Sequence, residues 1–216
     1  MLYSEDQLQA ATASAARGRR PNLTSLADLH ARALHFVRTW GSTEAERAMR
    51  YPCEQYVRGP HMHYYRAIEI EAPAEVVYRW LCQLHVAPYS YDWVDNWCRQ
   101  SPRELTPGAE RLRVGKRWFM KIFELVEFEW GKQLTLRIGR GRWFFGPDVG
   151  ATYVVTPRGA EGCRIVVGVV TYAKRGVFAK LRRLTYPWGE LAMMRRQMLN
   201  IKQLAEEQAR ASAAAA

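Results

Sequence analysis

Residues 184–210 read LTYPWGELAMMRRQMLNIKQLAEEQAR. Leu184, Trp188, Leu191, Met194, Met198, Ile201 and Ala205 recur at steps of three and four, which puts them on one face of a helix. A wide apolar stripe on so long a helix needs an apolar surface to lie against. The preceding segments supply one. Residues 117–130 alternate, with Trp118, Met120, Ile122, Val126 and Phe128 facing one way and Phe119, Phe123 and Leu125 the other. Gly131-Lys132 turns the chain into 133–138, where Leu134, Leu136 and Ile138 share a face. Residues 151–156 and 163–173 follow, joined by a turn over 157–162. Several of these strands are apolar on both faces, so in an antiparallel sheet both sides must be covered. The long helix covers one. A second layer, or the sheet's own curvature, covers the other.

Toward the N-terminus, residues 64–71 alternate as a strand, and Ala72-Pro73 is a turn with Pro73 placed to start a helix. Residues 74–84 carry Val76, Val77, Trp80, Leu81 and Leu84 at helical spacing. A short helix begins near Asp92, with Trp93, Val94 and Trp97 as its apolar residues, and 102–108 is a loop. The first sixty residues differ from the rest. Ser4-Glu5-Asp6-Gln7 is a capping box opening an Ala-rich helix that ends near Gly18. A second helix over 25–40 ends at Gly41 and carries Leu26, Leu29, Ala33, Phe36, Val37 and Trp40 on one face. Leaving Phe36 and Trp40 in water is costly, so this helix is expected to pack on the main domain. The expected organisation is a helical extension over 1–60, a main domain over 61–210 and a disordered tail over 211–216. Strand, helix, helix, a run of antiparallel strands and one long helix make an α+β arrangement.

The chain has 216 residues, 48% apolar and 25% charged, which is a globular composition. Its 8 Trp, 11 Tyr and 7 Phe suit a ligand cavity, an interface or an aromatic core. Net charge is +11, which favours anionic partners. The basic residues are spread along the chain, as on a solvated surface. Cys53, Cys82, Cys98 and Cys163 form no C-x-x-C pair and show no zinc spacing. With no export signal read at the N-terminus, the expectation is reduced thiols in the cytoplasm. The longest apolar run, residues 165–173, is too short to span a bilayer.

Four stretches carry a resemblance to the START-like superfamily, also called SRPBCC. They are YYRAIEIEAPAEVVYRWLCQL over 64–84, YSYDWVDN over 89–96, VGKRW over 114–118 and YPWGELAMMRRQMLNIKQLAE over 186–206. The second and fourth resemble a bacterial subset labelled polyketide cyclase/dehydrase-like. That subset often has a glycine-rich insertion before its Tyr-Ser-Tyr-Asp. Here QLHVAP stands instead, over 83–88. The resemblance implies a helix-grip fold, a curved antiparallel sheet wrapped round a long C-terminal helix. It also implies an internal apolar cavity that binds lipids, polyketides or other apolar molecules, in some members with cyclisation or dehydration. The superfamily has no universal catalytic residues to carry over, and no cofactor is expected.

The expected ligand-facing residues are Tyr89, Trp93, Trp118, Met120, Ile122, Trp188, Leu191, Met194 and Met198. Methionine thioethers adapt to irregular ligands. Candidate acid–base groups are His85, Tyr91, Asp92 and Glu124. A His with a carboxylate, and Tyr as a donor to an enolate, are the set an aldol-type ring closure needs. The bland alternatives are that Asp92 caps its helix and the tyrosines pack with satisfied hydroxyls. Glu124 sits in an otherwise apolar register, where burial would raise its pKa, unless a bulge or an Arg partner accounts for it. His61 and His63 share a strand face, with Cys53 upstream, but no third ligand stands at a telling distance, so no metal is expected.

Residues 139–146 and 174–183 mix basic and aromatic side chains. They suit an anionic membrane surface, a cavity gate or a solvated rim. No nucleic-acid-binding signature appears, nor any Walker, dinucleotide, G-x-S-x-G or H-E-x-x-H motif. The sequence therefore frames three functions: a carrier of a hydrophobic small molecule, a polyketide-type cyclase or dehydratase, and a peripheral membrane or protein-interaction module.

Overall fold

The structure, a computed structural model, describes residues 25–59, 61–118, 122–138, 148–172 and 177–215. The helix expected over 4–18, Phe119 and Met120, the side chain of Trp118, the 139–146 loop, and most of the 174–183 set lie outside the described residues. The chain forms two compact units, Met1–Ala33 and Leu34–Ala216. The described part of the first is the opening of helix α1 (Leu26–Thr39). All that follows concerns the second.

Six antiparallel strands form one sheet in the order β1-β6-β5-β4-β3-β2. They are β1 (His61–Ile70), β2 (Arg117–Trp118), β3 (Phe123–Glu129), β4 (Gln133–Ile138), β5 (Val149–Pro157) and β6 (Cys163–Tyr172). Four more helices, α2 (Glu44–Ala48), α3 (Ala74–Cys82), α4 (Asp92–Asp95) and the 38-residue α5 (Val177–Ala214), complete the α+β fold. α3 and α5 pack on the sheet's inner face. This is the helix-grip arrangement that the resemblance implies.

Strand alternation sorts the core. Tyr64, Ile70, Val167, Val169, Ala151, Tyr153, Leu134 and Leu136 are buried on the inner face, with Val77, Trp80 and Leu81 of α3 and Met198, Ile201 and Ala205 of α5. The outer face has its own layer. Tyr51, Cys53 and Val57, around the 3-10 turn Pro52–Tyr56, bury against Ala67, Val166 and Val170. Small residues make that seat possible. A Cβ on Gly168 would stand 2.4 Å from the Tyr51 ring, and one on Gly150 would stand 2.9 Å from the Cys53 carbonyl. The Cys53 N–H donates to Thr152 Oγ1 at 3.0 Å, which satisfies a buried backbone group.

The free edge of β1 is also covered. The Ala67 N–H donates to the Trp40 carbonyl at 3.0 Å. Gly41, at φ +73°, crosses so close that a Cβ would meet the Ala67 oxygen at 2.0 Å. At this point the edge has no free N–H to offer another strand. Arg164 fixes this corner through Glu46, with Nε–Oε1 at 2.5 Å and Nη2–Oε2 at 3.0 Å, and donates to the Gly41 carbonyl at 2.7 Å. That bidentate contact holds the Glu46 carboxyl down at about 2.

Three apolar expectations come out differently. Phe36 is exposed, while its neighbour Val37 is fully buried. Phe128 lies on the inner face with Phe123 and Leu125, because the register shifts between Leu125 and Glu127 and a bulge moves every later side chain across. Leu184 and Trp188 are about half exposed. The face of α5 that meets the sheet runs Tyr186, Glu190, Met194, Gln197, Ile201, and Trp188 stands two residues, about 200°, away from Tyr186.

Gly168→Ala drives a methyl group into the Tyr51 ring and is expected to cost about 1–3 kcal/mol. Gly189→Ala, in α5 with open space around it, is expected to gain about 1 kcal/mol from helix propensity. Urea denaturation of the two variants checks both signs.

Candidate functional site

In the sheet register Arg66 of β1 and Tyr153 of β5 flank Val167 of β6. All three side chains point to the inner face, toward α5. Arg66 is completely buried, and its guanidinium Nη2 donates to Glu190 Oε2 of α5. Its Nη1 donates to the Tyr65 carbonyl at 2.7 Å. The Tyr64 ring lies 5.9 Å from the guanidinium carbon, close enough for cation–π attraction. Tyr186 packs on Tyr64 with ring centroids 5.7 Å apart. One to two turns beyond Glu190 on α5, the Tyr153 hydroxyl donates to Gln197 Oε1 at 2.7 Å and lies 3.6 Å from the Met194 sulfur. Gln197 donates onward to the Pro88 carbonyl at 2.7 Å.

Taking two ions out of water costs several kcal/mol each. Here they are compensated by each other, by one carbonyl and by an aromatic face. Two buried atoms, Arg66 Nε and Glu190 Oε1, have no hydrogen-bond partner among the described residues. Burial pushes Glu190 up to about 7 from its usual 4.5, against the opposing pull of Arg66. Burial also pushes the Tyr153 hydroxyl up, helped by the Glu190 charge. A donor fork, a carboxyl that titrates near neutrality and a phenol thus converge inside an apolar shell. Such a set can hold a carbonyl, hydroxyl or carboxylate, and it can move a proton.

Among the sequence-predicted residues, Ile122 and Met194 pack against the inner core, Met198 is fully buried in it, and Leu191 is buried. Trp93 is 73% exposed and Trp188 51% exposed. Tyr89 is buried, at φ +56°. Its hydroxyl accepts from Gln83 Nε2 at 2.7 Å and donates to the Pro102 carbonyl at 2.8 Å.

His85 ends the 3-10 turn Gln83–His85, where burial and then Lys116 push it down to about 4. Tyr91 precedes α4. The Asp92 carboxylate accepts from the Ser101 N–H at 2.9 Å and its hydroxyl at 2.6 Å. Glu124 stands across from Arg137, on the face opposite Leu125. The His61 and His63 rings lie 5.9 Å apart on the outer face, and His63 is 3.9 Å from Glu54. Among the described residues no three metal-ligating side chains stand together, and no helix is long and apolar enough to cross a membrane.

An open groove of about 360 Å³ lies near the end of α5 between Trp80, Leu105, Leu204 and Gln208. It is fourteen residues, about 20 Å, along the helix from Glu190.

No protein-family model matches the chain, and no curated protein matches it. Solved structures do. MLL2253 from Mesorhizobium loti shares 16% identity over 68% of this chain and 98% of its own, at a TM-score of 0.44. A norcoclaurine synthase point mutant from Thalictrum, in complex with a transition-state analogue, shares 17% over 70% and 98%, at 0.41. The di-domain ARO/CYC protein BexL of the BE-7585A biosynthetic pathway shares 13% over 67% and 46%, at 0.40. These neighbours are of the START-like (SRPBCC) kind that the four sequence stretches resemble. At such TM-scores they are likenesses only, and the site is read from this chain's own residues.

A carboxyl whose pKa is raised by folding favours the fold in its protonated form. That stabilisation is complete below about pH 4.5 and is lost as pH rises through about 7. Urea denaturation between about pH 5 and pH 8 is therefore expected to show falling stability, and Glu190→Gln to flatten the profile. An unchanged slope in the variant would assign the dependence to another group.

Proposed function

We propose that this protein binds an apolar small molecule between the sheet and α5, with Arg66, Glu190 and Tyr153 taking the molecule's polar group. One observation carries the reading. A buried ion pair with an unpartnered Nε and an unpartnered Oε1 is an expensive thing to keep in a hydrophobic interior, and a ligand hydroxyl, accepting from Nε and donating to Oε1, satisfies both atoms at once. Met194, one helical turn from Glu190 and 3.6 Å from the Tyr153 hydroxyl, gives the apolar body a deformable wall. A lipid-like or polyketide-like molecule has the required shape, a long apolar body with sparse oxygen.

Native mass spectrometry of gently purified protein, together with displacement of anilinonaphthalene sulfonate, tests this. The wild-type chain is expected to carry an apolar ligand and to take up the dye. Arg66→Met combined with Glu190→Leu replaces the ion pair by apolar volume and keeps the fold. It is expected to weaken binding of an oxygen-bearing ligand by about 10–100-fold, the worth of a lost charge-assisted hydrogen bond. A wild-type chain that binds neither ligand nor dye would defeat the proposal.

A second reading, cyclase or dehydratase chemistry, draws on Glu190 alone. A carboxyl poised at about 7 beside a phenol is matched to removing an α-proton and stabilising the enolate. An aryl ketone incubated in deuterated water is then expected to exchange its α-protons with wild-type protein and not with Glu190→Gln. Equal exchange in both would remove this reading and leave the binding one standing.

A further inference from the structure

We infer that the turn around α4 is a docking point for an anionic lipid surface, a role independent of what the interior binds. It displays Trp93 at 73% exposure, Val94 at 50% and Trp97 at 77%, three apolar side chains within five residues. Nothing about this turn is slack. Trp97 and Cys98 both hold left-handed backbone, at φ +54° and +59°, a conformation that side chains other than glycine's rarely adopt. Asp92 pins it from inside. Its carboxylate holds Ser101, and its carbonyl accepts from the Cys98 N–H at 2.9 Å. Asn96 Nδ2 closes the turn on the Arg99 carbonyl at 2.6 Å. The chain accepts strained backbone to keep two indoles in water, the reverse of what stability alone selects.

Charge decides between occupants. The two carboxylates of the turn face inward, Asp92 onto Ser101 and Asp95 onto Ser90. The cations face outward. Arg99 follows Trp97 and is exposed. Arg196 is exposed on α5 between Met193, 3.8 Å from Ser90 Oγ, and Asn200, whose Nδ2 donates to the Tyr89 carbonyl at 2.9 Å. An apolar tip of two indoles and a valine with an arginine skirt matches a bilayer surface. Indoles settle at the headgroup level there, and arginines meet lipid phosphates. A second copy docked by two-fold symmetry would crowd four arginines, Arg99 and Arg196 from each copy, around one apolar patch. Single-stranded nucleic acid would use the indoles and leave Val94 without a role.

Co-sedimentation of the full chain with vesicles of phosphatidylcholine alone, or mixed with phosphatidylglycerol, tests this. The expected result is binding to the mixed vesicles only, weakened by salt. The Trp93→Ser/Trp97→Ser double variant should lose about tenfold or more, and Arg99→Ser/Arg196→Ser should lose the preference for anionic lipid. All four positions are exposed, and circular dichroism melts confirm that the variants fold. Three outcomes would overturn the inference: vesicle binding unchanged in the tryptophan variant, no vesicle binding with a tryptophan-dependent dimer in sedimentation equilibrium, or tryptophan-dependent binding of a single-stranded oligonucleotide without vesicle binding.

Discussion

One contact fixes the long helix on the sheet. The Arg66 guanidinium and the Glu190 carboxylate meet where β1 and α5 come together, both removed from water. Apolar side chains alone would let α5 slide or rotate, since hydrophobic contact has no preferred direction. An ion pair in a low-dielectric interior has one good geometry and many costly ones. With Glu190 placed, helical spacing carries Met194, Gln197 and Ile201 onto the inner face. Further along, Lys202 Nζ donates to the Glu69 carbonyl at 2.9 Å, and the Glu71 N–H donates to Glu206 Oε1 at 2.8 Å. Helix and strand therefore run side by side, joined at both ends by polar contacts and in the middle by oil.

The opposite face obeys the same accounting with different materials. There the sheet is lined by small or slender residues, Ala67, Gly150, Thr152 and Gly168, and a short irregular segment presses its backbone into the gap. Thr135 and Thr152 hydroxyls, 3.0 Å apart, satisfy each other beneath it. The sheet is thus gripped between a long helix on one side and one 3-10 turn on the other. The Arg164–Glu46 contact holds the segment that leads into that turn.

Much of this was legible in the sequence. Strands apolar on both faces called for the long helix on one side and for a second layer or the sheet's own curvature on the other, and the other side carries a layer around the 3-10 turn. The apolar spacing over 191–205 placed the second half of α5 correctly. The first half misled for a physical reason: its buried face carries the charged Glu190, so a search for apolar recurrence settled on Trp188 and Leu184, which are about half exposed. Arg66 was missed likewise, although the signal existed. It occupies the inward register of a strand whose neighbours in that register are Tyr64, Ile68 and Ile70. A charge in a buried register is a question, and the question needs a partner from elsewhere in the chain. No local pattern links residue 66 to residue 190. The bulge after Leu125 was hidden for a similar reason, since a one-residue register shift leaves the composition of the strand unchanged.

The order of strands in the sheet bears on how the chain reaches this state. Among the described strands β1 comes first in the chain, yet its partner in the sheet is β6, the last. Until β6 has been made, β1 lacks that partner, and α5 is still to come. Strands β3 to β6 close by short hairpins or a local return and can assemble early, whereas β1 must wait and then cross a loop of about ninety residues, with the entropy that such a closure costs. The fold is therefore dominated by long-range pairings of the kind that make folding slow. The charges on Arg66 and Glu190 also keep both halves of the future interior hydrated while they wait, so the same ion pair that registers the finished helix makes its separated parts less sticky on the way.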